Sequence, residues 1–219
     1  HFLERRLVDT QSLNQMKYIK LYFLLFLSLN FNSFSEPIRV ACVGDSITYG
    51  AGIKDRKNMN YPNQLGKLLG NKYEVKNFGN SGSTMLKKGD KPYWSQKEFK
   101  AALQYNPNIV IIKLGTNDTK PQNWKHGIYY SEDYKSMISS FTKLSSKPKV
   151  YICLPVPVIK TRWGITNEIV IKEIIPAIRK ISAQTRCEII DLNTPFHGKS
   201  KLIPDYVHPN SAGATIIAN

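Results

Sequence analysis

The chain has few cysteines, and none of them stands where a metal site would need it. Its three cysteines are Cys42, Cys153 and Cys187. No two have the spacing of zinc ligands, so a metal centre is not expected. Cys42 and Cys153 lie inside apolar runs, which favours buried free thiols. A disulfide between two of the three stays open, because pairing requires proximity in space.

Acidic residues are also scarce. The 219 residues include 16 Asp and Glu against 31 Lys and Arg, which gives a formal net charge of +15 at pH 7. Such a surface attracts acidic polymers or anionic envelopes, although a merely solvated basic surface is the alternative. The chain carries no nucleic-acid-binding motif, so nucleic acid is not expected as a partner.

The apolar segment nearest the N-terminus is too short to cross a bilayer, which takes about 20 residues. Residues 16–20 (Met-Lys-Tyr-Ile-Lys) form a basic start, residues 21–29 are apolar, and small residues precede Glu36. This pattern predicts a secretory signal peptide over 16–35, with no stable membrane insertion after cleavage. An uncleaved anchor is the alternative. Residues 1–15 are interpreted as upstream translated sequence or residues added for expression, which leaves 36–219 as a single domain.

Strand-like and helix-like patterns alternate along this domain. Continuous apolar strands separated by helices indicate an α/β fold, in which a parallel sheet is covered on both faces. Pro176 is expected to kink or split the last long helix. The strand-like runs are 38–43, 73–78, 109–114, 150–154 and 188–192; the helix-like runs are 61–69, 98–105, 131–144 and 167–183; segments 86–94 and 120–130 are expected to be loops that overhang the ends of strands.

Ser46 comes directly after the first strand-like run, separated from it by Gly44 and Asp45. In an open parallel sheet the carboxyl ends of the strands form the ligand crevice. A serine at this point can present its hydroxyl and its own N–H to the same ligand. The alternative is that Asp45 and Ser46 simply cap a helix, because Gly-Asp-Ser alone is a weak motif.

His208 is distinguished from the other three histidines by an aspartate three residues before it. Pro209 disfavours helical backbone at His208 and is suited to begin a helix itself. We therefore expect His208 on a loop with Asp205 within reach of one ring nitrogen, which leaves the other nitrogen free as a base. In the alternative, Asp205 is a turn residue and His208 a surface residue.

Two further segments offer hydrogen-bond donors after strands. Gly82 lies in the turn after the second strand-like run, where it can expose a backbone N–H. Asn117 follows the third run and carries a neutral amide. Donors aimed at one point stabilise a developing oxyanion, although both segments also fit ordinary turns. Asp45 and Asp118 are interpreted as structural carboxylates that bind loop N–H groups.

In this order, the four segments resemble the sequence blocks of the SGNH (GDSL-like) hydrolase family. The matching blocks are 44–48 (Gly-Asp-Ser-Ile-Thr), 80–82 (Asn-Ser-Gly), 115–118 (Gly-Thr-Asn-Asp) and 205–208 (Asp-Tyr-Val-His). The resemblance runs from about residue 38 to the C-terminus and implies a flavodoxin-like three-layer α/β/α sandwich with a five-stranded parallel sheet. Because family members usually continue the last helix for a turn or more, a C-terminal truncation is also expected.

The resemblance assigns roles to individual residues. It implies that Ser46 is the nucleophile, His208 the base and Asp205 its orienting partner. It also implies an oxyanion hole formed by the N–H groups of Ser46 and Gly82 and the side chain of Asn117. No metal or cofactor is needed for this chemistry.

The substrate is indicated by further features. Residues 49–52 (Tyr-Gly-Ala-Gly), the Gly-Thr-Asn-Asp form and the export signal resemble bacterial acetylxylan and sialate O-acetylesterase-like enzymes. This implies a periplasmic or extracellular bacterial enzyme that removes O-acetyl groups from polysaccharide or sialic-acid-type substrates. Tyr93, Trp94 and Trp124 are the candidate sugar-binding aromatics, and Trp163 is a further stacking candidate. Packing in the core or loops is the alternative for all four.

Three other functions stay open to different degrees. A lysophospholipase or acyl-thioesterase would use the same family machinery on a different acyl group. A degenerate family member could bind glycans without hydrolysis. A nucleotide- or flavin-binding module is disfavoured, because no Gly-x-Gly-x-x-Gly follows the first strand and no Walker-type motif is present.

Overall fold

The computed structural model describes residues 36–219, so the proposed signal peptide and the residues before it lie outside the described part. Within it, all five strand-like runs form strands of one sheet, and every neighbouring pair is parallel. The spatial order is β2-β1-β3-β4-β5. The predicted five-stranded parallel sheet is confirmed. Its strands are β1 Ile38–Gly44, β2 Tyr73–Gly79, β3 Ile109–Lys113, β4 Lys149–Leu154 and β5 Glu188–Asp191.

Helices and short helical turns connect the strands. The α-helices are α1 Ser46–Tyr49, α2 Arg56–Met59, α3 Tyr61–Leu69, α4 Lys97–Gln104, α5 Pro121–Trp124, α6 Tyr130–Thr142, α7 Asn167–Ile169, α8 Ile175–Thr185 and α9 Ser211–Ala218. The 3₁₀ turns are Tyr93–Ser95, Asn117–Thr119, Gly127–Tyr129, Thr194–Phe196 and Ser200–Leu202. A π-helical turn, Val170–Ile174, joins α7 to α8.

Local signals in the sequence explain where several helices begin. Asn60 accepts a hydrogen bond from the backbone N–H of Asn63 at the start of α3, and Asn210 does the same for Gly213 at the start of α9. Pro176 lies in the first turn of α8, where its missing N–H costs nothing. The π-helical turn before α8 accommodates this proline, so the helical run is interrupted by a change of helix type before Pro176 but is not split.

Apolar side chains alternate between the two faces of the sheet. Ala41 and Val43 of β1 belong to the larger core cluster, whereas Cys42 between them packs with the cluster on the opposite face. Helices α4, α6 and α8 cover the first face, while α3 and α9 pack against each other on the second. This is the α/β/α arrangement that the sequence resemblance implied.

Strand β1 lies between β2 and β3, so the chain leaves β1 first to one side and then to the other. Such a reversal of strand order opens a crevice at the carboxyl ends of the strands. The segments after β1, β2 and β3 all lead into that edge. Segment 120–130 differs from expectation: it is not an open loop, because α5 and a 3₁₀ turn occupy most of it.

Among residues 36–219, the longest apolar helices fall short of the length that a bilayer crossing requires.

Candidate active site

Ser46 is the first residue of α1, immediately beyond the carboxyl end of β1. Asp45 precedes it as the N-cap, and its Oδ1 accepts a hydrogen bond of 2.9 Å from the backbone N–H of Ile47. Ser46 is largely buried, with 7% of its surface exposed. The N–H of a first helical residue has no acceptor within its own helix. Ser46 therefore combines a hydroxyl with a backbone donor at the end of the sheet, and the capping function of Asp45 coexists with it.

Two glycines allow α1 to pack directly on the sheet. A Cβ on Gly79, the last residue of β2, would lie 2.2 Å from the backbone nitrogen of Tyr49. A Cβ on Gly44 would lie 2.1 Å from Oγ1 of Thr48. The side chain of Asn77 donates a hydrogen bond to the carbonyl of Thr48 at 2.7 Å. These close contacts fix the helix that carries Ser46.

His208 lies within hydrogen-bond distance of both Ser46 and Asp205. Its Nε2 is 2.8 Å from Oγ of Ser46, and its Nδ1 is 2.7 Å from Oδ2 of Asp205. The geometry matches a tautomer in which Nδ1 donates to the carboxylate and Nε2 accepts the serine proton. The structure thus brings together three residues whose positions span most of the domain.

Backbone hydrogen bonds hold Asp205 in place for this contact. Its Oδ1 accepts the N–H groups of Val207 at 3.0 Å and of His208 at 2.6 Å. Partial burial opposes ionisation of this carboxyl, but the hydrogen bonds from the backbone and ring of His208 and from Val207 hold its pKa below the usual range. Asp205 is therefore well suited to remain a carboxylate that orients the imidazole.

Gly82 and Asn117 lie on two turns that are joined to each other. Gly82 has a φ of +83°, a conformation that favours glycine. Asn117 opens the 3₁₀ turn after β3, and its Nδ2 donates to the carbonyl of Ser83 at 3.2 Å. This bond uses one of its two amide hydrogens. The oxyanion-hole role of the two residues stays a prediction.

A buried ion pair connects the serine turn to the asparagine turn, and sequence reasoning did not find it. The Lys113 ammonium lies 3.1 Å and 3.0 Å from the two carboxylate oxygens of Asp45, and it donates to Oγ1 of Thr116 at 2.8 Å. Both charged side chains are completely buried. A lysine at the end of an otherwise apolar strand was the available signal, because a buried ammonium needs a carboxylate partner.

Asp118 connects the asparagine turn to the glycine turn in a similar way. It accepts the N–H groups of Met85 at 3.0 Å and of Leu86 at 2.8 Å. Burial raises the pKa of the Asp118 carboxyl to about 7, although these two hydrogen bonds oppose the shift. The structural interpretation is confirmed for Asp118, which binds two loop N–H groups, whereas Asp45 binds the N–H of Ile47 inside α1 and the Lys113 ammonium.

The aromatic candidates differ in how deeply the structure buries them. Tyr93 is completely buried and its hydroxyl donates to the carbonyl of Phe78 at 2.5 Å, so the expectation that it stacks on sugar is corrected. Trp94 is partly buried and packs on Phe99 and the core; a substrate role for it stays untested. Trp124 is also partly buried and packs against Tyr130, and its role is likewise untested.

Trp163 is the aromatic residue that the structure places against His208. The two ring centroids are 5.7 Å apart, and 56% of the Trp163 surface is exposed. Its residue type alone made it a stacking candidate in the sequence, because its segment carries no motif, and a substrate role for it is likewise untested. Within residues 36–219, His, Cys, Asp and Glu side chains do not form a cluster of three or more that could hold a metal ion.

Comparison with known proteins places this chain in a family. The model of the GDSL-like lipase/acylhydrolase family matches residues 42–216. The chain belongs to this family of acyl hydrolases.

One relative is an acetylxylan esterase from Xylanibacter ruminicola, which is 40% identical over 201 residues. The match covers 84% of this chain but 42% of the relative, so the chain spans less than half the length of that protein.

Solved structures agree with the fold at low sequence identity. A carbohydrate acetylesterase from Sinorhizobium meliloti superimposes with a TM-score of 0.65 at 18% identity, over 82% of this chain and 94% of that one. An aryl esterase from M. smegmatis gives a TM-score of 0.63 at 18% identity, over 82% and 94% of the two chains. These likenesses establish the shared α/β/α architecture.

Proposed function

We propose that this chain is a serine esterase that removes O-acetyl groups from carbohydrates. The observation that carries the proposal is the continuous hydrogen-bonded series from Ser46 through His208 to Asp205, with heavy-atom distances of 2.8 Å and 2.7 Å. A serine hydroxyl is a weak nucleophile until an adjacent base accepts its proton. His208 is in position to be that base, and Asp205 to orient it.

Acylation begins when Oγ of Ser46 attacks the acetyl carbonyl carbon and its proton moves to Nε2 of His208. The carbonyl oxygen becomes an oxyanion in a tetrahedral intermediate. In the proposal this oxyanion accepts hydrogen bonds from the N–H groups of Ser46 and Gly82 and from the Asn117 amide. Collapse of the intermediate breaks the bond to the sugar oxygen, which takes the proton from His208 and leaves as the free alcohol.

Deacylation repeats these steps with water. His208 accepts a proton from a water molecule, whose oxygen attacks the acetyl-serine carbonyl. The second tetrahedral intermediate releases acetic acid, which ionises to acetate in solution, while His208 returns the proton to Oγ of Ser46. The buried Lys113–Asp45 pair supports this cycle by connecting the serine turn to the asparagine turn, so the nucleophile and the amide donor keep their relative positions.

Similarity to the acetylxylan esterase supports a carbohydrate substrate and a small acyl group, because it extends over 84% of this chain. The chain's polar segments around the sheet end, rich in Lys, Asn, Trp and Tyr, also favour a polar substrate over a long apolar acyl chain. An exported location, periplasmic or extracellular, is part of the proposal. The signal pattern in residues 16–35 supports it. A polysaccharide substrate, which lies outside the cytoplasm, agrees with this location.

The test measures acetate release from acetylated xylan and hydrolysis of p-nitrophenyl acetate. We expect the unaltered chain to release acetate and Ser46→Ala to lose at least about 10³-fold in kcat, as removal of such a nucleophile does in other serine hydrolases. Ser83→Ala is the matched control, because Ser83 lies in the neighbouring turn and its side chain bonds only Asn80 among the described residues.

Equal rates for the unaltered chain and Ser46→Ala would overturn the serine mechanism. Faster hydrolysis of long-chain p-nitrophenyl esters than of the acetate would instead overturn the acetyl specificity and favour a lysophospholipase or thioesterase. Both measurements use the full chain. The Ser46→Ala comparison tests the reaction mechanism, and the comparison of acyl chain lengths tests the substrate class.

A further inference from the structure

Trp163 has a backbone conformation that a large side chain rarely adopts. It has a φ of +51°, and Gly164 after it has a φ of +79°. The flanking residues exchange two backbone hydrogen bonds, from Arg162 N–H to the Ile165 carbonyl at 3.2 Å and from Ile165 N–H to the Arg162 carbonyl at 2.8 Å. Together these features define a two-residue hairpin turn with positive φ at both central positions. Asn or Gly usually occupies the first of these positions, so a tryptophan there carries a conformational cost.

The turn is held on two sides by the segments that carry the site. On one side, the N–H of Ile159 donates to the Tyr206 carbonyl at 2.9 Å, within the Asp205–His208 segment. On the other, the N–H of Thr166 donates to Oγ1 of Thr119 at 3.1 Å, two residues after Asn117. The hairpin therefore bridges the histidine segment and the asparagine turn, and its position relative to both is fixed.

The Trp163 ring is oriented by its neighbours but not covered by them. The Arg162 guanidinium carbon lies 4.5 Å from the centroid of the indole, a cation–π contact that restrains the ring. The His208 ring lies 5.7 Å away, tilted by 45°. More than half of the tryptophan surface nevertheless faces solvent. Ile165, two residues after Trp163, is buried and anchors the hairpin in the interior. The exposed indole beside the proposed base is therefore not needed for packing.

We propose that Trp163 binds the sugar ring of the substrate as a stacking platform next to His208. The proposal rests on the esterase function above, since the group released when His208 donates its proton is a sugar hydroxyl. A pyranose ring presents an apolar face of C–H groups, which an exposed indole can bury. A platform in contact with the imidazole places that ring where its oxygen receives the proton. Trp163 is thus a specificity-determining residue on the leaving-group side of the site.

The first experiment measures binding without hydrolysis. Ser46→Ala and the double variant Ser46→Ala/Trp163→Ala are titrated with xylohexaose by calorimetry. We expect the Kd of the double variant to be about five- to tenfold higher, which corresponds to the binding free energy of one aromatic contact. Ser46→Ala/Trp163→Phe keeps a ring and should recover most of the affinity. Equal Kd values with and without the indole, or no binding of xylohexaose by Ser46→Ala, would overturn the platform.

The second experiment compares substrates. The ratio of kcat/KM for acetylated xylooligosaccharide to kcat/KM for methyl acetate should fall about five- to tenfold in Trp163→Ala and recover in Trp163→Phe, because methyl acetate has no ring to stack. Tyr129→Ala is the matched control: Tyr129 is also exposed and carries a cation, Lys88, 3.9 Å over its ring. Its ratio should stay at the value of the unaltered chain.

The outcomes of the two experiments are separable from that of the proposed function. If the unaltered chain releases acetate but Trp163→Ala leaves the ratio unchanged, the esterase function stands and the platform is wrong. If Trp163→Ala lowers both rates equally, the residue supports the fold or the acyl side, and the platform is again wrong. If the unaltered chain releases no acetate, the esterase function fails, and the calorimetric comparison still decides whether Trp163 binds sugar.

Discussion

One buried ion pair, Lys113 with Asp45, connects the segments that carry the candidate site. The Lys113 ammonium and the Asp45 carboxylate are both removed from solvent, so each depends on the other for compensation. Asp45 also caps the helix that begins with Ser46. Loss of the lysine would leave an uncompensated carboxylate next to Ser46, and we expect this to lower the stability of the whole domain.

Lys113→Met is predicted to lower the free energy of unfolding by about 3–5 kcal/mol, the cost of leaving one member of a buried pair alone. Urea denaturation measures the change. Adding Asp45→Asn should recover part of the loss, because both charges are then gone.

The matched control is Lys172→Met, which removes an exposed ion pair with Glu168 and should leave the urea midpoint unchanged. Equal midpoints for Lys113→Met and the unaltered chain would mean that the buried pair does not stabilise the domain.

At this scale, the sequence predicts the residues whose position follows from local spacing. Ser46 comes just after a strand, so its place at the carboxyl end of the sheet could be foreseen. Asp205 and His208 are three residues apart, so their contact with each other could be foreseen as well. The partnership of Lys113 with Asp45 spans 68 residues and depends on the pairing of β1 with β3. The burial of Tyr93 was missed for the same reason, because side-chain direction in a turn is set by distant packing.

Among the elements, α1 is the one whose placement governs the site. It is only four residues long and is held by contacts with β1 and β2 rather than by its own helical propensity. Gly79 is at the closest contact, where any side chain would meet the backbone of Tyr49. The serine can therefore keep its position only while this contact remains free of a Cβ.

Gly79→Ala is predicted to destabilise the domain by about 1–3 kcal/mol or more through overpacking and to reduce ester hydrolysis by shifting α1. Urea midpoints and acetate release report the two effects.

Gly66→Ala is the matched control with the opposite sign. Gly66 lies inside α3 and its added Cβ would make an ordinary contact with Val75 at 3.4 Å. Removal of a helical glycine should raise stability by about 0.5–1 kcal/mol. A Gly79→Ala variant as stable and as active as the unaltered chain would contradict the close packing of α1.

The strands were predictable because continuous apolar runs bounded by glycine, proline or charged residues have few other solutions in a domain of this size. Helix α3 was predicted with its exact bounds, 61–69. Segment 120–130 was not, since Pro121 begins the short α5 and its formation depends on Trp124 packing against Tyr130. The π-helical turn before Pro176 was foreseen only as an interruption, because the sequence does not specify how the backbone absorbs it.

For the molecule as a whole, the reactivity of the cysteine thiols reports whether solvent and reagents reach the interior. Cys42 and Cys153 are free and buried, as their apolar runs predicted, and Cys187 is free and buried as well. Burial raises the pKa of the Cys42 thiol well above its usual range and that of Cys153 to about 12. Because the thiolate is the reactive form, Cys42 and Cys153 should be inert in the native protein, and Cys187 is withheld from reagents by its burial. Inert thiols suit a protein proposed to work in an oxidising compartment.

We predict that the native protein does not react with Ellman's reagent within minutes at pH 8, and that three thiols react after unfolding in urea. Absorbance at 412 nm counts the thiols. Cys187→Ser should lower the unfolded count from three to two. A fast-reacting thiol in the native protein, or a count of one after unfolding, would contradict three separate buried thiols.

The hydrogen bond between Ser46 and His208 joins residues 162 positions apart in the chain. Synthesis from the N-terminus delivers all five strands and the serine turn before the imidazole leaves the ribosome. In the proposed mechanism, the Ser46 hydroxyl stays an ordinary alcohol until residue 208 has emerged and docked. In the proposed mechanism, a chain whose five strands have already been synthesised is therefore still chemically silent toward the esters around it.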